Sequence, residues 1–378
     1  MPRRLRLFFL ACICTGSLYA QDLSDIQFHG FVTQGFVFSS NNNYLTMLTS
    51  AGTLQWTDGA VSIADSISDN LRVGIQLHMY QLGQLGGPNV QVDWASGDYK
   101  INDYLGFRAG KVKTPLGLFN DSQDVDAVFL WTLLPQSAYP VDNKSFFLAH
   151  LGGEVYGALS LGSQAGSLQY RGYAGQAYLD LNGGYVKLSA DEGVVFTAAP
   201  AGKTYGGDLR WEAPLKGLTL GSSACVLALD GTAAAGSIHI SPFLINAEYA
   251  QFQKGKFYVA GEYRRAPVNP ILTIGPAVIP LPIDQRAWFA MGSYRLSKNF
   301  QVGSYYSHYL NKALDITQPA NYAKDWVVSG RYDFNSYFYG KLEGHFLDGN
   351  GLGFYTSTNP NGLKPNSKML AAKIGFSF

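Results

Sequence analysis

Cysteine, charge and long apolar runs are all scarce in this chain. Only three of its 378 residues are cysteines, and two of them, Cys12 and Cys14, fall within the first twenty positions. A framework of disulfides is therefore excluded for whatever follows residue 20, where Cys225 stands alone. Charged residues make up only 15%, the reverse of a disordered composition. After residue 20 no stretch reaches the about 18 consecutive apolar residues that a transmembrane helix needs. The six histidines are dispersed and no cysteine pair exists, so no metal site and no cofactor is implied. What the chain does have is aromatic side chains, at 14%, and 43 glycines.

The first twenty residues, MPRRLRLFFLACICTGSLYA, have three arginines, an apolar stretch from Leu7 to Ile13, and small residues ending at Ala20. That pattern is expected of a secretory signal peptide over 1–20. Removing Arg3, Arg4 and Arg6 from the 28 basic residues leaves 25 against 27 acidic ones, a net charge of −2. A nucleic-acid partner is not expected at that balance. A chain with no spanning helix and a high aromatic load fits an all-β membrane barrel over 21–378, whose apolar surface is spread over alternate residues of many short strands.

The period supports this. In LRVGIQLHMY, Leu71, Val73, Ile75, Leu77 and Met79 share one face, and Arg72, Gln76, His78 and Tyr80 the other. Repeats of this kind place antiparallel strands at 28–38, 59–67, 71–82, 89–96, 104–112, 153–162, 167–177, 204–212, 218–228, 238–252, 256–265, 286–296, 299–310, 324–334, 337–347 and 367–378, about sixteen, with 14 or 18 left open. Short turns such as SDN (68–70) and SKN (297–299) alternate with longer connections at 39–58, 113–152, 178–203, 266–285, 311–323 and 348–366, and two connections, near 83–88 and 229–237, are short. One short-turn rim and one long-loop rim is the layout of a transmembrane barrel with periplasmic turns and extracellular loops. Outward aromatics fall at two heights: Trp288, Tyr306, Trp326 and Phe346 toward the loops, and Tyr249, Tyr294, Phe300, Phe334, Phe338, Phe376 and Phe378 toward the turns. On the last strand Leu370, Ala372, Ile374, Phe376 and Phe378 face lipid.

About sixteen strands leave room for water inside, and the inward positions carry charges that a dry core would not accept: Arg72, Arg108, Glu154, Arg171, Asp208, Arg210, Glu248, Glu262, Arg264, Arg295, Arg331, Asp333, Lys341, Glu343 and Lys373. The connection 113–152 is too long, and too apolar from Val128 to Leu134, to stand in solvent, so it is expected to fold into the lumen and narrow it.

LGFRAGKVKTPLGLFND (105–121), LLPQSAYP (133–140) and the terminal Phe378 together resemble the outer-membrane porins of Gram-negative bacteria, and GKVKTPLG resembles the strand-to-loop passage of the phosphate-selective and related specific channels. The resemblance implies passive diffusion of small hydrophilic solutes, a homotrimer, and recognition of Phe378 by the outer-membrane assembly machinery. It also implies acidic groups on the loop, here Asp121, Asp124, Asp126 and Asp142, opposite a basic wall, here Arg72, Arg108, Lys111, Lys113, Arg171 and Arg210, setting a field across the pore. Two rivals stay open. One is a non-conducting receptor or structural barrel. The other is an outer-membrane hydrolase, for which His239 with Ser241, on one face of a strand, is the nearest pair.

Overall fold

The computed structural model describes residues 26–87 and 89–378; the leader expected at 1–20, with Cys12 and Cys14, lies outside the described residues. Sixteen long strands form one antiparallel sheet: β1 (Gln27–Ser39), β2 (Thr53–Ser66), β3 (Leu71–Leu82), β4 (Gln91–Asn102), β5 (Leu105–Lys113), β6 (Ala149–Ser160), β7 (Ser167–Tyr178), β8 (Ala201–Glu212), β9 (Leu218–Ala233), β10 (Gly236–Lys254), β11 (Phe257–Val268), β12 (Ile283–Arg295), β13 (Phe300–Asn311), β14 (Tyr322–Asp333), β15 (Phe338–Asp348) and β16 (Asn366–Ser377). Each pairs with its neighbours in sequence. β16 also pairs with β1, with Phe31 opposite Ser377 and Phe38 opposite Leu370, so the ring closes and leaves no open edge.

The polarity of this ring is inside out. On β15, Lys341, Glu343 and His345 are buried while Leu342 and Phe346 are exposed. The same inversion holds on β1 and β16, where Val32, Phe36, Leu370 and Ile374 lie on the outer surface. An outer face of this kind suits hydrocarbon and not water. The outward rings cluster near each rim, with centroids 5.3 Å apart for Trp288 and Tyr306 and 5.9 Å for Tyr306 and Trp326 at the loop rim, and 4.9 Å for Phe338 and Phe376 at the turn rim.

Several expectations need correction. β2 begins at Thr53 and β4 continues to Asn102, both longer than the sequence pattern suggests. The connection expected at 229–237 is ladder, with Asp230 opposite His239 and only Ala234 and Ala235 left as the turn. The proline-containing loop after β11 carries a hairpin of its own, Pro270–Ile274 and Ala277–Pro280, docked on β10. Gly275, at φ +54, makes its turn, and Pro270 and Pro280 sit at strand ends, where a missing N–H breaks no ladder.

The parity of β10 is also reversed. Tyr249 is buried inside the ring rather than in the turn-side girdle, and Glu248 faces outward. Opposite Tyr249 stands Gly221, where any Cβ would fall 2.1 Å from the tyrosine ring. The glycine makes room, and the Tyr249 hydroxyl donates to Asp208 at 2.7 Å and accepts from Arg210 at 3.1 Å. These contacts hold the ring inside.

Candidate functional site

The connection between β5 and β6, residues 114–148, turns into the ring and lies along its inner wall. It has no strand of its own, only two short helical turns and the five-residue helix α1 (Lys144–Leu148). Such a segment carries many unpaired backbone groups, each of which needs a partner once buried. The wall supplies them. The amides of Thr132 and Leu133 donate to the two oxygens of Glu343, at 3.0 and 2.9 Å. The amide of Leu118 donates to Glu262 at 2.8 Å, and the Tyr139 hydroxyl donates to the same carboxylate. In the other direction, Arg331 donates to the carbonyls of Ala127 and Phe129, Arg264 to that of Ala138, and Tyr305 to that of Leu133. Phe119, Leu130, Trp131 and Tyr139 pack between these groups against Phe289, Met291, Tyr305 and Val327.

The loop carboxylates are tethers. Asp126 accepts from Lys341 at 2.8 Å, from Lys373 at 2.7 Å and from the Tyr339 hydroxyl at 2.9 Å. Burial opposes its ionisation, but the two ammonium groups outweigh that and hold the carboxyl down at about 2. Asp121 accepts from Arg171 at 2.7 and 2.8 Å; here too burial is outweighed, by the guanidinium, and the carboxyl stays below the usual range. Asp124 takes hydrogen bonds from Lys113 and Gln76, each at 2.8 Å. Asp142 differs, for its partners are the Tyr355 hydroxyl at 2.6 Å and Asn143. Burial dominates there and pushes its carboxyl up.

The field expected across the pore, with loop acids facing wall bases over open water, is therefore corrected. Asp121 and Asp124 are bonded directly to two of the expected bases, Arg171 and Lys113. Arg108 bonds to Asp98 and Glu154, and since Arg171 also holds Glu154, an alternating chain Asp98–Arg108–Glu154–Arg171–Asp121 runs from the wall onto the segment. Arg210 has its nearest carboxylate, Asp208, 3.9 Å away. Arg72 sits at the turn end of β3, bonded to Gln27, and meets none of the loop acids. Lys111 pairs in register with Ala95 and Leu151 and shares the outer face with Phe107 and Leu151, its ammonium bonded to the Val92 carbonyl and the Tyr178 hydroxyl. Asp142 turns to the loop before β16. Sequence reasoning placed Lys341, Glu343, Lys373, Glu262, Arg264 and Arg331 inside the ring without assigning them to the segment, since their partners lie more than a hundred residues away.

A cavity of about 550 Å³ on the turn side is lined by Lys100, Asp103, Arg108, Asp121, Arg171, Asp208 and Arg210, both signs facing one space. At the loop rim, Tyr44, Leu45, Met47, Leu133 and Phe354 form an apolar cluster that joins the segment to the loops after β1 and β15.

Many solved structures resemble this fold, and three that match 93% of the chain serve as examples. They are OmpT of Vibrio cholerae, with a TM-score of 0.57 at 12% identity over 97% of its length; an anion-selective porin from Comamonas acidovorans, 0.57 at 11% over 99%; and OmpF of Salmonella typhi in complex with daunomycin, 0.58 at 13% over 97%. The fold is that of a porin. No protein-family model matches the chain, and no curated protein matches it in sequence. Identities of 11–13% carry the architecture alone, so what this porin-like barrel does rests on its own residues.

Proposed function

We propose that this porin-like barrel is a channel of the bacterial outer membrane, passing small hydrophilic solutes by diffusion, with residues 114–148 as its constriction. The observation that carries the reading is the segment itself. It is fastened inside a closed, inside-out ring by ionic contacts from β5 to β16, beside a charged cavity that no dry core would contain. An aqueous lumen is what sixteen strands leave. The reading includes a cleaved leader at 1–20, drawn from its residue pattern, and insertion by the assembly machinery through Phe378 and a homotrimer, both drawn from the porin resemblance.

The finer assignment, to the phosphate-selective group, has support in residues 105–121. The charges favour a mixed lumen instead, because Arg108, Arg171 and Lys113 are each held by carboxylates. Arg210 is one wall cation with amino groups left for a solute, its Nε bonding to the Tyr249 hydroxyl and its nearest carboxylate lying 3.9 Å away. The apolar cluster at the loop rim favours a second reading, a closed receptor barrel. Recording from purified protein in planar bilayers separates the two. Discrete ion-conducting steps support the channel, and a silent bilayer containing folded protein overturns it.

A further inference from the structure

On the outer face of the barrel, at the loop end of β11 and β12, Arg265 and Arg286 stand directly opposite each other in the ladder. Like charges in that position repel. Asp284 lies between them, accepting from Arg265 Nε and Nη2 at 2.9 and 3.2 Å and from Arg286 Nε and Nη2 at 3.3 and 3.0 Å. The Asp284 amide is in turn held by the Asn311 side chain at 3.0 Å. One carboxylate cannot neutralise two guanidinium groups, so the triplet keeps one positive charge. Its arginines are 43% and 31% exposed.

The height of this triplet decides what it meets. Tyr263 and Trp288, the pair one step nearer the barrel middle on the same face, belong to the ring of aromatics with Tyr306 and Trp326. Such rings mark the boundary between hydrocarbon and headgroups, so Arg265 and Arg286 reach into the headgroup layer just outside it. Further charges on the outer face include Lys111, bonded to the Tyr178 hydroxyl at 3.0 Å, Lys324, paired with Asp348 at 3.0 Å, and Glu248, which accepts from Asn246 at 2.8 and 3.1 Å. None of them faces the lumen. Planar, paired guanidinium groups match phosphate oxygens, and the one carboxylate between them occupies donors that a phosphate would otherwise take.

We infer that Arg265, Arg286 and Asp284 form an outward binding site for the phosphate groups of a phosphorylated glycolipid in the outer leaflet. The site rests on the outer-membrane reading above and is independent of whether the lumen conducts.

The test is native mass spectrometry of the detergent-purified protein with bisphosphorylated lipid A, compared with its dephosphorylated form and with inorganic phosphate as competitor. The expected result is that Arg265→Gln with Arg286→Gln weakens lipid A binding by about tenfold or more, while Asp284→Asn, which frees both guanidinium groups, binds at least as well as wild type. Equal binding by the double variant and wild type overturns the site. Competition by free phosphate as strong as by lipid A overturns the lipid assignment. Conductance recorded on the same preparations separates this inference from the channel reading: it is unchanged in the double variant, and its absence in wild type would refute the channel while leaving the lipid result standing.

Discussion

Asp126→Asn removes one negative charge from a point where two ammonium groups converge. Lys341 is 0% exposed and Lys373 3%, beside a carboxylate that is 9% exposed. Breaking a buried ion pair costs about 3–5 kcal/mol, because the remaining charge is left uncompensated. Both lysines keep some partners, since Lys341 also donates to the carbonyls of Asp126 and Trp131 and Lys373 to that of Thr132. The lower end therefore applies. A loss of about 3 kcal/mol shifts the equilibrium between tethered and released segment by about two orders of magnitude. The barrel ladders do not involve Asp126 and stay intact, so the loss is local. Amide exchange across 119–134 is the assay, with β15 and β16 as internal reference. Exchange should accelerate about a hundredfold in the segment and not in the strands. Unchanged protection at Thr132 and Leu133 would refute the claim that Asp126 holds the segment in place.

Other expectations follow from the same contacts. Acid should release the Asp126 tether late. Its carboxyl is depressed from the ordinary value of about 4 to about 2, so the stabilisation is complete above about pH 4 and is lost as pH falls toward 2, readable as exchange in 119–134 against pH. Asp142 has the opposite sign, its carboxyl being raised, so its contribution is present below the ordinary carboxyl range and lost as pH rises through the raised value; Asp142→Asn should tether the segment to Tyr355 at neutral pH at least as firmly as wild type, measured by the same exchange. Arg171→Ala leaves Asp121 and the fully buried Glu154 without their shared cation and should move the reversal potential toward cation preference. Gly117→Ala places a Cβ at φ +75 and 2.5 Å from Glu262, and should displace the start of the segment, seen as faster exchange at Leu118 and Phe119.

The strand pattern was readable because each strand exposes alternate residues to opposite media, and each of the sixteen long strands overlaps a segment that the period of two marks, with β2 and β4 extending well beyond it. β10 misled because polar side chains occupy both of its faces: Asn246 and Glu248 outside, Tyr249 inside. Only the opposed Gly221 and the Asp208–Arg210 pair on β8 decide which way it turns, and neither is adjacent in sequence. The site was half legible for the same reason. That Lys341, Glu343 and Lys373 point inward follows from parity. That they hold Asp126, Thr132 and Leu133 does not, since more than 200 residues separate the partners. Of the expected acids and bases, Asp121 meets Arg171 and Asp124 meets Lys113, but the hydrogen-bonding needs of a buried, strandless segment draw them together instead of leaving them apart across water.

The most direct test places a thiol on the segment. Val128 is 62% exposed within the ring, so Val128→Cys in a Cys225→Ser background presents one reactive sulfur inside the lumen. Single-channel conductance before and after a bulky, water-soluble maleimide measures whether that point lies in the passage. If residues 114–148 narrow the pore, modification cuts each conducting step sharply; unaltered steps with complete labelling would contradict it.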